Sequence, residues 1–179
     1  MAATGRPAET VLATDRLTVR HWTQDDHDRA FAIYSRWEVA RWLGSTPRAL
    51  AEPAEARAMV ERWRLRSTDP RFGVWAVERQ DSGTVVGSVL LVPLPGGDGE
   101  VEIGWHLHPD SWGHGFATEA ARGVLAKGFA DGLAEIRAVV RPGNGPSAAV
   151  CRRLGMTLLG PTSRWYGVET EEYRIARTG

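Results

Sequence analysis

Two glycines, Gly113 and Gly115, separate a strand-like run from a helix-like run, and that layout can bind an anion. The first run, Val101–Leu107, suits a strand and is stopped by His108-Pro109, since proline removes a donor from the strand ladder. The second run repeats small and apolar residues at the spacing of one helix face, namely Ala117, Ala120, Ala121, Val124, Leu125 and Gly128. A helix that follows a glycine loop begins with unpaired N–H groups and the positive end of its dipole. We therefore predict that this loop binds a phosphate group.

Two common phosphate-binding loops do not fit this stretch, whereas a third does. The P-loop requires Lys and then Ser or Thr after its last glycine, where this chain has Phe116 and Ala117. The dinucleotide fingerprint requires Gly or Ala at the position of Thr118. Residues 112–117 instead resemble the acetyl-CoA loop of the GNAT acetyltransferases, Q/R-x-x-G-x-G/A, with Trp112 in the Gln/Arg position, as in the RimJ/RimL-like branch. For the loop alone, a glycine turn that caps an ordinary helix is the alternative.

A second motif follows farther along the chain. Asn144, Ser147, Cys151, Gly155 and Met156 are spaced as in the family's N-x-x-A/S-x-x-x-Y-x-x-x-G-F. The departure from that pattern is the cysteine, which stands where the family usually has Tyr. Because both motifs occur in the family's order, the chain is identified as a member of the GNAT superfamily, and the resemblance covers residues 14–177.

The resemblance implies an N-acetyltransferase that passes an acetyl group directly from acetyl-CoA, its co-substrate, to a primary amine, with no metal. In the family, pantetheine lies beside the strand before the loop as an added strand would, and a free N–H of that strand can act as the oxyanion donor. The Asn144 amide can both donate and accept, which suits pantetheine, and it can also cap a helix. The residues expected to contact acetyl-CoA are Trp105, His106, Leu107, Trp112, Gly113, His114, Gly115, Phe116, Ala117, Thr118, Asn144 and Ser147.

Acetyl transfer also requires a base for the amine proton and benefits from an acid for the leaving thiolate. Glu102 is the expected base, although a carboxylate suits this step only where burial raises its pKa. His106, on the same strand face, is the substitute base, and a solvated outward-facing Glu102 is the alternative. For the acid, we place Ser147 ahead of Cys151, with water as the third option. The resemblance implies direct transfer, so the cysteine is not expected to act as a nucleophile.

Aromatic residues in the first half of the chain are the candidates for the acceptor side of the site. We expect Tyr34, Trp37, Trp42 and Trp63 to line an apolar slot there, together with the segment near Trp165-Tyr166, and core packing is the alternative for each ring. A protein N-terminus and a small-molecule amine, such as an aminoglycoside or polyamine, both remain open as acceptors. A non-catalytic acyl-CoA-binding domain is the rival function, supported by the missing tyrosine. The length of the acyl group and the oligomeric state also stay open, a homodimer being one option.

The elements that must position these residues follow from the hydrophobic periodicity of the chain. Residues 1–13 are predicted to be a flexible leader, and residues 14–179 a single GNAT domain. The domain is predicted to be α/β, with a mixed, mostly antiparallel sheet of six to seven strands flanked by four helices. Predicted strands cover residues 16–22, 72–78, 84–92, 100–107, 135–140, 157–160 and 172–176. Four helices are predicted. The first is capped by Thr23 and buries Ala30, Ile33, Tyr34 and Trp37, the second covers residues 55–65, the third follows Gly115, and the fourth covers residues 147–154.

Composition excludes several classes of protein. Among 179 residues, Lys and Arg total 22 and Asp and Glu total 22, so there is no basic excess for nucleic-acid binding. The one cysteine excludes an intrachain disulfide. No apolar run has the length of a membrane span, and residues 1–7 lack the apolar core of a signal peptide. We therefore expect a cytoplasmic enzyme that does not bind membranes or nucleic acid.

Overall fold

An eight-stranded sheet forms the centre of the computed structural model, which describes residues 8–66 and 69–178. The strands are β1 Thr10–Ala13, β2 Leu17–Arg20, β3 Gly73–Arg79, β4 Val85–Pro93, β5 Val101–Leu107, β6 Glu135–Val140, β7 Thr157–Thr162 and β8 Thr170–Ala176. Their order across the sheet is β1-β2-β3-β4-β5-β6-β8-β7. β5 and β6 run parallel, and the other neighbouring pairs run antiparallel. The predicted α/β class with a mixed, mostly antiparallel sheet is confirmed, with more strands than expected.

Within the described residues, five α-helices cover the two faces of the sheet. They are α1 His27–Tyr34, α2 Trp37–Ala40, α3 Pro53–Arg66, α4 Phe116–Ala130 and α5 Gly145–Arg153. The larger apolar core includes α4 and α5 side chains such as Val124 and Ala148, together with the buried side chain of Ile136 from β6. A second core includes Ile33 of α1 and Val60 of α3. The sheet therefore separates a helix layer of α4 and α5 from a layer built by α1 and α3.

Two predictions about the first forty residues were wrong. Residues 10–13, assigned to the leader, form the edge strand β1, which pairs with β2 and packs Val11 and Leu12 against the larger core. Its four residues lack the alternation that identifies a strand, and its pairing depends on β2. Helix α1 ends at Tyr34, so Trp37 begins the separate helix α2 and is 55% exposed instead of buried. The rest of the predicted leader, residues 1–7, lies outside the described residues.

The pairing of β5 opens the sheet on one side. β4 and β5 stay in register from Gly87↔Leu107 to Pro93↔Val101, over the whole of β5. β5 and β6, in contrast, share the single register pair Glu102↔Arg137 among the described residues. Past Glu102 the two parallel strands therefore separate, and one edge of β5 is left without a strand partner.

Candidate active site

A cavity of about 1680 Å³ occupies the opening between β5 and β6. It extends from the loop before α4, along the free edge of β5 and the start of α5, to the segment between α1 and α3. Every residue predicted to contact acetyl-CoA lines this cavity, and so do Glu102, Trp42 and Trp63. The two sequence motifs, which are far apart in the chain, therefore border one space.

The loop before α4 has the backbone geometry of an anion-binding nest. Gly113 and Gly115 have φ values of 79° and 78°, in the left-handed region that favours glycine. Glycine is thus required there by backbone conformation, since open space surrounds Gly113. Among the described residues, no acceptor bonds the backbone N–H groups from Gly113 to Thr118. These donors and the N-terminus of α4 together favour a bound phosphate.

Cationic side chains border the same loop. Arg16, Arg122 and Arg153 line the cavity. The Arg16 guanidinium lies 4.8 Å from the centroid of the Phe116 ring and pairs with Glu119 at 2.6 Å. This pair fastens the β1–β2 turn to the first turns of α4. Asp15 and Glu119 line the cavity as well, but with three arginines the border keeps a net positive charge, which adds to the attraction of the loop for an anion.

Trp112, the departure from the family's loop pattern, bonds to the strand instead of facing the nest. Its indole Nε1–H donates to the carbonyl oxygen of Leu107 at 2.9 Å, while 48% of the residue is exposed. The indole thereby fixes the end of β5 against the loop. Because the nest consists of backbone donors, a tryptophan here leaves its geometry intact.

The free edge of β5 can accept a ligand as an added strand. The His108 N–H donates to Val86 on the β4 side at 2.9 Å, whereas the Leu107 carbonyl accepts from Trp112 on the other side. Because bonded residues alternate along an antiparallel edge, the N–H groups of Trp105 and Leu107 face the cavity. The arrangement can therefore bind amides along β5 and donate a hydrogen bond to a developing oxyanion.

Glu102 is a buried carboxyl at the point where β5 and β6 separate. It is 9% exposed, and its Oε2 accepts a hydrogen bond from the Tyr166 hydroxyl. Burial raises the pKa of Glu102 to about 7, although the hydrogen bond from Tyr166 acts in the opposite direction. Glu100, two residues earlier, lies before the strand and pairs with Arg164 at 2.7 Å. Of the two carboxylates, Glu102 therefore has the environment of a base that works near neutral pH.

His106, the substitute base, belongs to a second polar cluster on β5. Its Nδ1 is 3.2 Å from the hydroxyl of Tyr34, which in turn is 2.7 Å from the Ser88 hydroxyl. Burial lowers the pKa of His106 to about 4, so the imidazole is neutral at pH 7. A conjugate acid this strong makes His106 a weaker base than Glu102 in this environment.

The structure separates the four aromatic residues predicted for the acceptor side. Trp42 and Trp63 line the cavity, and Trp63 packs edge-on against Tyr34 with 5.4 Å between ring centroids. Tyr34 is 4% exposed and lies behind the cavity wall, where its hydroxyl supports His106. Trp37 is on the exposed surface of α2, outside the cavity lining.

The two candidates for the general acid also lie in different environments. Ser147 lines the cavity, and its backbone N–H donates to Asn144 Oδ1 at 3.3 Å. Asn144 is thus the N-cap of α5, which is the helix-capping role predicted for it alongside pantetheine binding. Cys151 is fully buried outside the cavity lining, and burial raises the pKa of its thiol to about 12. The geometry therefore favours Ser147 over Cys151.

Sequence reasoning did not assign a role to Tyr166, although it placed the Trp165-Tyr166 segment near the acceptor. In the sequence, Tyr166 is visible only as part of a Tyr-Gly pair between the last two predicted strands. Such a pair does not indicate a contact with Glu102. Arg141 was also missed; it lines the cavity and donates to the carbonyl oxygens of Gly44 and Ser45. These contacts connect the end of β6 to the segment that follows α2.

A sequence model of the family described as Acetyltransferase (GNAT) domain matches residues 16–157 of this chain. The chain belongs to the GNAT acetyltransferase family. Bacillus subtilis YoaA, named as an uncharacterized N-acetyltransferase, is 32% identical over 146 residues, which cover 81% of each protein. A GNAT-family acetyltransferase from Bacillus anthracis superposes with a TM-score of 0.78 at 22% identity, covering 92% of this chain and 97% of that one. For Mycobacterium smegmatis RimJ, in complex with CoA-disulfide, the TM-score is 0.74 at 21% identity, covering 89% and 81%.

The predicted membership of the GNAT superfamily is confirmed. The chain is an N-acetyltransferase, and its family binds acetyl-CoA. Because the sequences of these two solved structures are only 22% and 21% identical to this chain, the superpositions show that the fold is shared and nothing more. Within residues 8–66 and 69–178, no helix is both long and apolar enough to cross a bilayer. The same residues contain no cluster of three or more His, Cys, Asp or Glu side chains that could hold a metal ion.

Proposed function

We propose that this GNAT protein transfers an acetyl group from acetyl-CoA to a primary amine that binds beside Glu102. The observation that carries the proposal is the position of Glu102, a buried carboxyl with a pKa raised to about 7, in the same cavity as the glycine nest. A base with this pKa is half ionised near neutral pH and can take a proton from the ammonium form of an amine.

The residues present fit acetyl-CoA, whose thioester supplies the activated acetyl group. The unpaired N–H groups from Gly113 to Thr118 suit the pyrophosphate, and the unpaired edge of β5 suits the amides of pantetheine. Asn144 retains its side-chain NH₂ after capping α5, since only its Oδ1 is used by Ser147. Each of these groups borders the same cavity.

Each proton in the transfer has a candidate residue. Glu102 takes the proton from the amine nitrogen, and the N–H of Trp105 or Leu107 donates to the oxygen that becomes negative. The Ser147 hydroxyl protonates the departing thiolate, directly or through water. Transfer is direct, because the one cysteine of the chain is buried away from the cavity.

The acceptor is a peptide N-terminus or a small-molecule amine that reaches Glu102 past Trp42 and Trp63. A thiol-release assay with acetyl-CoA, run over a panel of N-terminal peptides and small amines, tests the function and separates the two acceptor classes. We expect at least one class to be turned over, with the activity lost in Glu102→Gln. Turnover of acetyl-CoA by Glu102→Gln at the wild-type rate with every accepted amine would contradict the proposed base.

A further inference from the structure

Tyr166 has an unusual backbone conformation. Among the described residues it is the one non-glycine residue with a positive φ, 56°, and Gly167 follows at 65°. A bulky residue in this region is strained, and such strain persists only where surrounding contacts fix the chain. The conformation therefore requires an explanation from the contacts of the loop between β7 and β8.

Contacts on both sides of Tyr166 fix this loop. Trp165 is fully buried and packs near Gly97, where an added Cβ would lie 3.3 Å from its ring. The Arg164 guanidinium stacks 4.3 Å from the centroid of the Trp165 indole. At the base of the loop, the Thr170 hydroxyl donates to the carbonyl of Thr162 at 3.1 Å. The neighbours of Tyr166 are thus held, while Tyr166 itself is 37% exposed.

The strained residue places its hydroxyl on Glu102. That is the one side-chain hydrogen bond of the Glu102 carboxyl among the described residues. The other charged groups around Glu102 are committed elsewhere or lie on the cavity wall. Arg137 of β6 bonds to Glu135 and to Glu172 of β8. Next to Glu102 along the chain, Glu100 pairs with Arg164 and His106 bonds to Tyr34. Glu38 of α2 lines the cavity, and the β4 residues that line it, Leu90, Val92 and Pro93, carry no charge.

We propose that Tyr166 is a positioning residue that acts as a latch on the general base. In the free enzyme its hydroxyl holds the Glu102 carboxylate and its ring shields that carboxylate from water; the incoming amine then replaces the hydroxyl as the hydrogen-bond donor. This inference rests on the proposed function of Glu102. Tyr166 keeps its own proton, because burial and the neighbouring carboxylate raise the pKa of the phenol.

The latch predicts shifts of opposite sign for two kinds of substitution. Tyr166→Phe keeps the ring and removes the donor, so the carboxylate loses its hydrogen bond and the pKa of Glu102 rises by on the order of one unit. Tyr166→Gly removes the hydroxyl together with the ring and admits water to the carboxylate. Because burial is the larger of the two effects on Glu102, the pKa of Glu102 falls. Glycine also adopts the left-handed conformation without strain, so this variant is expected to fold. A residue with a purely structural role would not shift this pKa in both directions.

Two measurements of the pKa of Glu102, one spectroscopic and one kinetic, test the latch. Infrared difference spectroscopy gives the protonation midpoint of Glu102 in the ligand-free protein, with Glu102→Gln identifying the carboxyl band. The acid limb of the kcat/KM profile gives the pKa of the same group in the free enzyme from kinetics. We expect both values to move up in Tyr166→Phe and down in Tyr166→Gly. Equal midpoints in wild type and Tyr166→Phe would overturn the latch and leave Glu102 as the base. An acid limb that survives in Glu102→Gln would overturn the base itself, and with it the role of the latch in catalysis.

Discussion

The proposed cofactor half and the proposed acceptor half of the cavity are built from different kinds of group. The cofactor half, defined by residues 112–118, the free edge of β5 and Asn144, offers mainly backbone N–H groups held by two left-handed glycines. The acceptor half, defined by Trp42, Trp63, Glu102 and Tyr166, offers side chains from four separate segments. Backbone donors suit a ligand that stays the same, such as the phosphates of acetyl-CoA, because substitutions leave the backbone N–H groups in place. Side chains suit a ligand that varies, because they can be substituted without disturbing the fold. We infer that acceptor specificity is set in the second half alone.

The largest effect is expected from Glu102→Gln, which removes the proposed base from the acceptor half. Loss of a general base costs about 10²–10⁴-fold in rate, so kcat at neutral pH is expected to fall by that range. Part of the activity returns at high pH, where the amine is already neutral. Steady-state kinetics across pH measure this effect, and calorimetry is expected to show unchanged CoA affinity. Full activity in the variant would assign the base to His106 or to water.

The stability of Glu102→Gln distinguishes a catalytic loss from unfolding. The folded-state pKa of Glu102 is raised from 4.5 to about 7, so the folded protein favours the protonated carboxyl. The stabilisation of protonated Glu102 is fully present below pH 4.5 and is lost as pH rises through 7. Relative to wild type, Glu102→Gln therefore gains free energy of unfolding across this window, by at most about 3 kcal/mol. Denaturant unfolding at several pH values measures the gain, and a pH-independent difference would contradict the buried ionisation.

Gly115→Glu should affect the cofactor half and leave the acceptor half unchanged. The new side chain adds negative charge at the nest and forces a non-glycine residue to φ 78°, so we expect CoA affinity to fall at least about 100-fold, or about 3 kcal/mol. Gly132→Glu is the matched control: Gly132 has φ 94°, stands in open space and lies outside the cavity. Equal CoA affinities in the two variants, by calorimetry, would place the phosphate site elsewhere.

The difference between the halves also explains which features the sequence could predict. The nest is formed by consecutive residues, so the positions of Gly113 and Gly115 before an amphipathic run were enough to predict it. Periodicity likewise predicted α4 and the central strands. The Tyr166–Glu102 contact spans 64 residues and depends on the order β5-β6-β8-β7 and on a strained φ. Neither feature has a local sequence signal. The strand β1 and the end of α1 before Trp37 were missed for the same reason, since tertiary pairing decides them.

Ser147→Ala and Cys151→Ala test the boundary between the halves with a smaller effect. Because Ser147 lines the cavity and Cys151 does not, Ser147→Ala is expected to lower kcat about tenfold, as for a weak general acid. Cys151→Ala is expected to leave kcat unchanged and to lower the free energy of unfolding, since it removes a fully buried side chain. Kinetics and denaturant unfolding of both variants check this contrast. A larger loss of kcat in a folded Cys151→Ala would give the thiol the role of the family's tyrosine.

The smallest effect is expected at Asn144, whose side chain caps α5 and is proposed also to bind pantetheine. Its Oδ1 caps α5 by accepting from the Ser147 N–H, which leaves its NH₂ for the proposed hydrogen bond to pantetheine. Asn144→Ala loses both interactions, whereas Asn144→Asp keeps the capping oxygen and loses the donor. One hydrogen bond contributes about 0.5–1.5 kcal/mol, so we expect both variants to raise the KM for acetyl-CoA by a few-fold to about tenfold. Only Asn144→Ala should also lower the melting temperature. If Asn144→Asp has the wild-type KM, Asn144 serves as a helix cap alone, and the cofactor half then recognises its ligand entirely through the backbone.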